Sequence, residues 1–183
     1  SKQAWQVFFL LGFINNAIPF SLFVWAQTHI TSGLAAILNA TTPLFSVILS
    51  HFFIQGERLK AMRVLGVFVG LSGVSVMIGV DALENLGAQV LAQLACLGAA
   101  FGYAVSGILG KKAQSLAQPP LVISTGQLIC GCALIAPLML FVDRPWTLAM
   151  PGLDTIGALF GLSIVSTAVA YFIYFKVLAR TSA

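Results

Sequence analysis

The sequence predicts an all-α, polytopic membrane helix bundle with six transmembrane helices. Of its 183 residues, 59% are hydrophobic and only 8% are charged, whereas charged residues make up about a quarter of an ordinary soluble domain. The apolar residues form six uncharged runs of about 20 residues each, which is the length that crosses a bilayer as a helix. This composition excludes a soluble globular domain.

We call the six runs the first to sixth spans. The connections between them are too short to form separate domains. In chain order, the spans are residues 7–26, 34–54, 64–80, 90–109, 121–142 and 156–175.

The charged residues predict the orientation of the spans. If the spans alternate in direction, eight of the nine basic residues share one side with both chain ends, and Arg144 alone lies on the other side with Asp81, Glu84, Asp143 and Asp154. Cytoplasmic loops are enriched in lysine and arginine. We therefore expect both ends of the chain in the cytoplasm, and we attribute the net charge of +4 to orientation and not to nucleic-acid binding.

The first two spans each carry the pattern Asn-x-x-x-Pro near their middle. In the second span Pro43 lacks an N–H and should free the carbonyl of Asn39, while Thr42 lies on the same face. In the first span Pro19 should free the carbonyl of Asn15, with Asn16 beside it. Polar groups at membrane depth are tolerated only against protein or a water-filled cavity. The pattern predicts a wall of a polar passage, or alternatively a helix–helix seam held together by polar residues.

The remaining spans add fewer polar groups. Glycines and serines recur at steps of three and four in the third and fourth spans, which is typical of close helix packing in lipid. Tyr103 in the fourth span, Gln127 in the fifth and Tyr171 in the sixth are candidate pathway residues. For Tyr103 the alternative is a core tyrosine with a bonded hydroxyl. The proposed role of all these residues is hydrogen bonding and stacking.

No carboxylate, lysine or histidine–acid pair lies at the centre of any span, so we expect no enzyme active site and no metal site. Cys96, Cys130 and Cys132 all fall in apolar runs and are interpreted as packing residues. No cofactor is expected. The expected partners are a small-molecule solute and the lipid bilayer, with a homodimer left open.

The first and sixth spans form an internal repeat. The segment from Leu10, LLGFINNAIPFSLFVWAQTHITSG, aligns with LFGLSIVSTAVAYFIYFKVLARTSA from Leu159, with one additional residue in the second copy. Because the copies are five spans apart, they have opposite orientations in the membrane. Inverted repeats are common in secondary transporters. The alignment predicts that the chain continues into further spans on both sides, giving a protein of about ten helices.

Residues 33–59, GLAAILNATTPLFSVILSHFFIQGERL, resemble the fourth-helix signature of the EamA family in the drug/metabolite transporter superfamily. Residues 63–79 resemble the next helix of the family, and residues 171–183 resemble the matching point of the second half of the family fold. The resemblance implies two inverted repeats, with residues 1–80 in the first and 81–183 in the second. It also implies a bacterial inner-membrane carrier for amino acids, other metabolites or drugs, commonly an exporter.

We therefore expect a secondary transporter of small organic solutes that works by alternating access. The alternative is a structural or receptor-like helix bundle that transports nothing. Asn39 and the freed carbonyls favour the transporter, and the glycine-rich packing faces fit either function.

Overall fold

The computed structural model describes residues 2–54, 61–78, 89–114 and 119–181, and nearly all of these residues are helical. The described part of the chain contains no β-strand, which confirms the all-α prediction. The α-helices are α1 (Lys2–Leu11), α2 (Ile18–Gln27), α3 (Ser32–Asn39), α4 (Thr42–Phe53), α5 (Ala61–Ile78), α6 (Val90–Gln114), α7 (Pro120–Leu138), α8 (Leu153–Gly161) and α9 (Ala170–Thr181).

Within the described ranges, five helical stretches are long and apolar enough to cross a membrane: Lys2–Gln27, Ser32–Phe53, Val90–Gly110, Leu121–Thr147 and Leu153–Ile173. They correspond to five of the six predicted spans. The third span corresponds to a shorter apolar helix, Ala61–Val76, and its predicted end at residue 80 lies outside the described residues. The polytopic membrane helix bundle is therefore confirmed.

Several charged residues that bear on the predicted orientation lie outside the described residues: Glu57, Arg58, Lys60, Asp81 and Glu84. The orientation of the spans and the cytoplasmic location of both ends stay predictions.

Three spans contain π-helical segments, at Gly12–Ala17, Met139–Asp143 and Leu162–Val169. The first is followed by α2, in which Pro19 occupies the first turn. Proline fits there because the first turn of an α-helix does not need its N–H. In the third segment the Thr167 hydroxyl donates to the carbonyl of Leu162, five residues earlier, at 3.0 Å. The bonds that define a π-helix are different, since they join backbone N–H groups to carbonyls five residues earlier.

The helices fall into two compact units. One unit comprises Ser1–Gly12 and Lys111–Ala183. In it α1 packs on α7 at two glycines: a Cβ at Gly126 would overlap the ring of Phe8, and a Cβ at Gly12 would lie 2.8 Å from the backbone oxygen of Gln127. Helix α7 also contacts α9. At Gly12 and Gly126 the first span and α7 approach each other closely because neither glycine carries a side chain.

The other unit comprises Phe13–Gly110. Its core is a cluster of small and aliphatic side chains from α2, α3, α6 and the loop after α2: Ala26, Ile30, Leu34, Ala35, Leu38, Ala92 and Cys96. Thr31 caps α3 by accepting a hydrogen bond from the backbone N–H of Leu34 at 3.3 Å. The burial of Cys96 within this cluster agrees with its interpretation as a packing residue. The division into these two units does not test the assignment of residues 1–80 and 81–183 to two sequence repeats, which stays a prediction.

Candidate functional site

The first helix interruption places Asn15 in a π-helical segment, where it is buried. Its Oδ1 accepts a hydrogen bond of 2.7 Å from the hydroxyl of Ser106 on α6. One turn earlier on α6, Gly102 allows the close approach, because a Cβ there would lie 3.3 Å from the carbonyl oxygen of Ile14. The neighbouring Asn16 is also buried and has an interaction partner. Asn15 and Asn16 are thus both buried, and both have interaction partners.

The second interruption is a true break in the helix. Helix α3 ends at Asn39, and α4 begins at Thr42 with Pro43 in its first turn. The Thr42 hydroxyl lies 2.7 Å from the Asn39 carbonyl oxygen and 3.3 Å from its Oδ1. The carbonyl that the sequence analysis expected to be free is therefore occupied by a side-chain hydroxyl. The Asn39 side chain is exposed.

Tyr103 lies beside the first interruption. Its ring stacks on Phe23 of α2, with the centroids 6.2 Å apart and the planes 22° from parallel. Tyr103 is half-buried. One face of the Phe23 ring is thus covered by a ring from the fourth span.

Gln127 differs from the other candidates because its polar atoms have no partner. The side chain is 0% exposed, and neither Oε1 nor Nε2 finds a hydrogen-bond partner among the described residues. It lies on α7 between Gly126 and Gly131, where the backbone of Gly12 approaches most closely. A buried polar group left unpaired costs about 1–3 kcal/mol. Gln127 therefore destabilises its unit in this conformation.

Tyr171, the remaining candidate, is half-buried on α9 and has an interaction partner. The structure brings Asn15 and Tyr103 together in one unit, places Asn39 and Thr42 at a single break, and places Gln127 and Tyr171 on the contacting helices α7 and α9 of the other unit.

The sequence analysis did not single out two buried polar residues of α6. Ser106 was interpreted only as one of the small residues that allow close packing of the fourth span, yet its hydroxyl donates a hydrogen bond to Asn15. Gln93 was not considered, although it is buried. Its position was detectable, because Gln93, Cys96 and Ala100 follow the three- and four-residue spacing of one helix face.

Comparison with known proteins identifies relatives along nearly the whole chain. The model of the EamA-like transporter family matches residues 1–79 and 90–183. A probable amino-acid metabolite efflux pump of Escherichia coli K12 is 31% identical over 96% of this chain and 56% of its own length. An uncharacterized transporter of Archaeoglobus fulgidus is 25% identical over 96% of the chain and 60% of its own length.

A shorter match links the chain to a probable terminal-alkyne amino-acid exporter of Streptantibioticus cattleyicolor, 38% identical over 29% of this chain and 18% of that protein. The chain spans little more than half the length of the two relatives that it matches almost completely. No solved structure matches it significantly.

The family match covers nearly all residues, and the helical structure agrees with it. The chain belongs to the EamA-like transporter family.

Proposed function

We propose that the protein is a secondary transporter that exports small organic solutes, such as amino acids or their metabolites, by alternating access. The observation that carries the proposal is the pair of interrupted spans, which present carboxamides and a hydroxyl at mid-span in a protein of a transporter family. Interrupted helices at membrane depth are typical of transporter binding sites. The names of two relatives, an efflux pump and an exporter, support the export direction.

In this proposal Asn15, Asn16, Asn39, Thr42, Tyr103, Gln127 and Tyr171 line the solute route. The carboxamides of Asn39 and Gln127 supply hydrogen bonds, while the stacked Tyr103 and Phe23 rings supply an apolar surface. The Asn15–Ser106 bond positions the first interruption against α6. None of these groups carries a formal charge, so the route favours solutes without a net charge. An enzymatic function has no support in the family or in the names of the relatives.

The bilayer is the environment of the chain, as its apolar helices and its family indicate. A bacterial inner membrane, with both ends of this chain in the cytoplasm, is part of the proposal. A homodimer stays open.

A flux assay tests the proposed function. The full-length protein is reconstituted into liposomes with a panel of radiolabelled neutral amino acids and organic cations. We expect saturable movement of at least one neutral amino acid, and little movement of the cations. Liposomes without protein provide the control. If no solute of the panel moves faster than in these control liposomes, the transport proposal is wrong.

One observation favours the alternative of a bundle that transports nothing. The Asn15 oxygen is already bonded to Ser106, which is how a polar packing seam is held together. Solvent access distinguishes the two functions. In a background without Cys96, Cys130 and Cys132, a cysteine is placed at Asn39 and, as a buried control, at Leu38, which is 8% exposed. Labelling of Asn39→Cys but not Leu38→Cys by an aqueous thiol reagent favours a passage. Protection of both cysteines favours the sealed bundle.

A further inference from the structure

We propose that Gln127 is the specificity-determining residue of this carrier and that its carboxamide hydrogen-bonds the transported solute directly. The proposal rests on the transport function proposed above. It adds a named residue and the chemistry that this residue selects: a solute that presents a hydrogen-bond donor and an acceptor side by side.

The burial of Gln127 supports this role. The side chain is 0% exposed, and both amide heteroatoms are unpaired among the described residues. Buried polar groups are almost always hydrogen-bonded, and an exception calls for a functional explanation or a bound molecule. In a membrane no solvent is present to satisfy such groups from outside. A leucine at position 127 would fill similar space without this cost, so packing does not explain a glutamine here.

Two positions that pack against α7 next to Gln127 carry no hydrogen-bonding side chain. Facing α7 in the same unit, Gly12 has no side chain and approaches the backbone of Gln127 and Gly131, while Phe8 covers Gly126 with an aromatic ring. A glycine and a phenylalanine ring offer no side-chain donor or acceptor of the strength of an amide. The amide becomes available to a solute when α1 and α7 move apart, a change that the proposed alternating access includes.

The amide fixes the chemistry of the solute. Its oxygen accepts hydrogen bonds and its nitrogen donates two, so it pairs best with a group that has a donor next to an acceptor. A primary carboxamide, a protonated carboxylic acid, and an adjacent ammonium and carboxylate all meet this requirement. A quaternary or phosphonium cation has no N–H or O–H donor and does not meet it.

Gln93 is a matched control. It is another glutamine of a predicted span, and it is buried in the other compact unit. Unlike Gln127, it has an interaction partner. Replacing Gln93 therefore removes an existing interaction, whereas replacing Gln127 removes an unpaired amide.

The experiment compares Gln127→Leu, Gln127→Asn and Gln93→Leu in the full-length protein. The midpoint of thermal unfolding is measured in detergent. KM and Vmax are measured in liposomes for neutral amino acids and nicotinamide, with tetraphenylphosphonium as the cation without a donor. We expect Gln127→Leu to unfold at or above the wild-type temperature, since it removes a destabilising group. Its KM should rise about tenfold or more, as expected for one lost hydrogen bond to a charged group, with Vmax little changed.

Gln127→Asn keeps the amide on a shorter side chain, and its KM should rise less than that of Gln127→Leu. Gln93→Leu should show the reverse pattern, a lower unfolding temperature with an unchanged KM. A wild-type KM in Gln127→Leu, or a failure of this variant to fold, overturns the proposal and assigns Gln127 a structural role. If the wild-type protein moves no solute, the transport function itself is wrong and this proposal falls with it.

Discussion

The first and second spans contain the same pattern, an asparagine followed four residues later by a proline, and the two patterns have different structures. Around Asn15 the helix widens into a π-helical segment and continues into α2. At Asn39 the helix ends, and a new helix starts at Thr42. Asn15 is buried and bonded to Ser106, whereas Asn39 is exposed and its carbonyl accepts a hydrogen bond from Thr42 of its own span.

The difference shows that the neighbour and not the pattern decides what a proline does to a helix. Proline removes the same backbone hydrogen bond in both spans. The first span lies against the small-residue face of α6, where Gly102 and Ser106 leave room and supply a donor. At the second break the Thr42 hydroxyl, from the same span, donates a hydrogen bond to the Asn39 carbonyl. The first interruption is thus packed against α6, and the second is exposed.

The largest effect on the free energy of unfolding is expected from a large side chain placed between the first span and α6. In Gly102→Leu a side chain would start 3.3 Å from the carbonyl oxygen of Ile14 and 3.5 Å from Cγ of Pro19. Backbone atoms cannot give way as a flexible side chain does, so the free energy of unfolding should fall by about 1–3 kcal/mol. Chemical denaturation in detergent measures this loss.

The control for Gly102→Leu is Gly70→Leu on α5, where a Cβ would meet no atom of the described residues within 4 Å. Its free energy of unfolding should change by less than about 0.5 kcal/mol. Equal losses in the two variants would mean that Gly102 does not owe its role to close packing.

A smaller effect is expected when the two asparagines are compared directly. Asn15→Ala removes the nearer acceptor of the buried Ser106 hydroxyl, at 2.7 Å, and leaves it the carbonyl of Tyr103 at 3.1 Å, so it should cost about 1 kcal/mol. Asn39→Ala removes an exposed side chain and should change stability by less than about 0.5 kcal/mol. In a double-mutant cycle, Asn15→Ala and Ser106→Ala should show a coupling energy of about 1 kcal/mol. A coupling near zero would contradict the importance of the buried bond.

The smallest effect is expected at the break in the second span. Thr42→Val keeps the shape of the side chain but removes the hydroxyl that bonds the Asn39 carbonyl at 2.7 Å. Because the site is partly exposed, the loss in the free energy of unfolding should be about 0.5–1 kcal/mol. Thr42→Ser keeps the hydroxyl and should retain most of the stability. If both variants lose the same amount, the methyl group and not the hydrogen bond stabilises the break.

The sequence was sufficient for the features that depend on local composition. Uncharged runs of about 20 residues locate the spans because lipid tolerates little else, and proline locates the interruptions because its missing N–H is a local property. The features that sequence reasoning did not supply depend on contacts between distant residues. Nothing near Asn15 indicates that Ser106, 91 residues away, is its donor. Likewise, nothing near Gln127 indicates that Gly12 lies against its backbone.

The π-helical segments also bear on how a repeated protein tolerates an inserted residue. With Gly12 aligned to Gly161, the six-residue segment Gly12–Ala17 overlaps the eight-residue segment Leu162–Val169. The sixth span must accommodate one additional residue before Thr181. A π-helical turn holds one residue more than an α-helical turn, since its bonds run from i to i+5. Both copies contain a π-helical segment, and that of the sixth span is the longer one. Under the predicted repeat alignment, this longer segment is where the sixth span can take up its additional residue without changing the face that the rest of the helix presents.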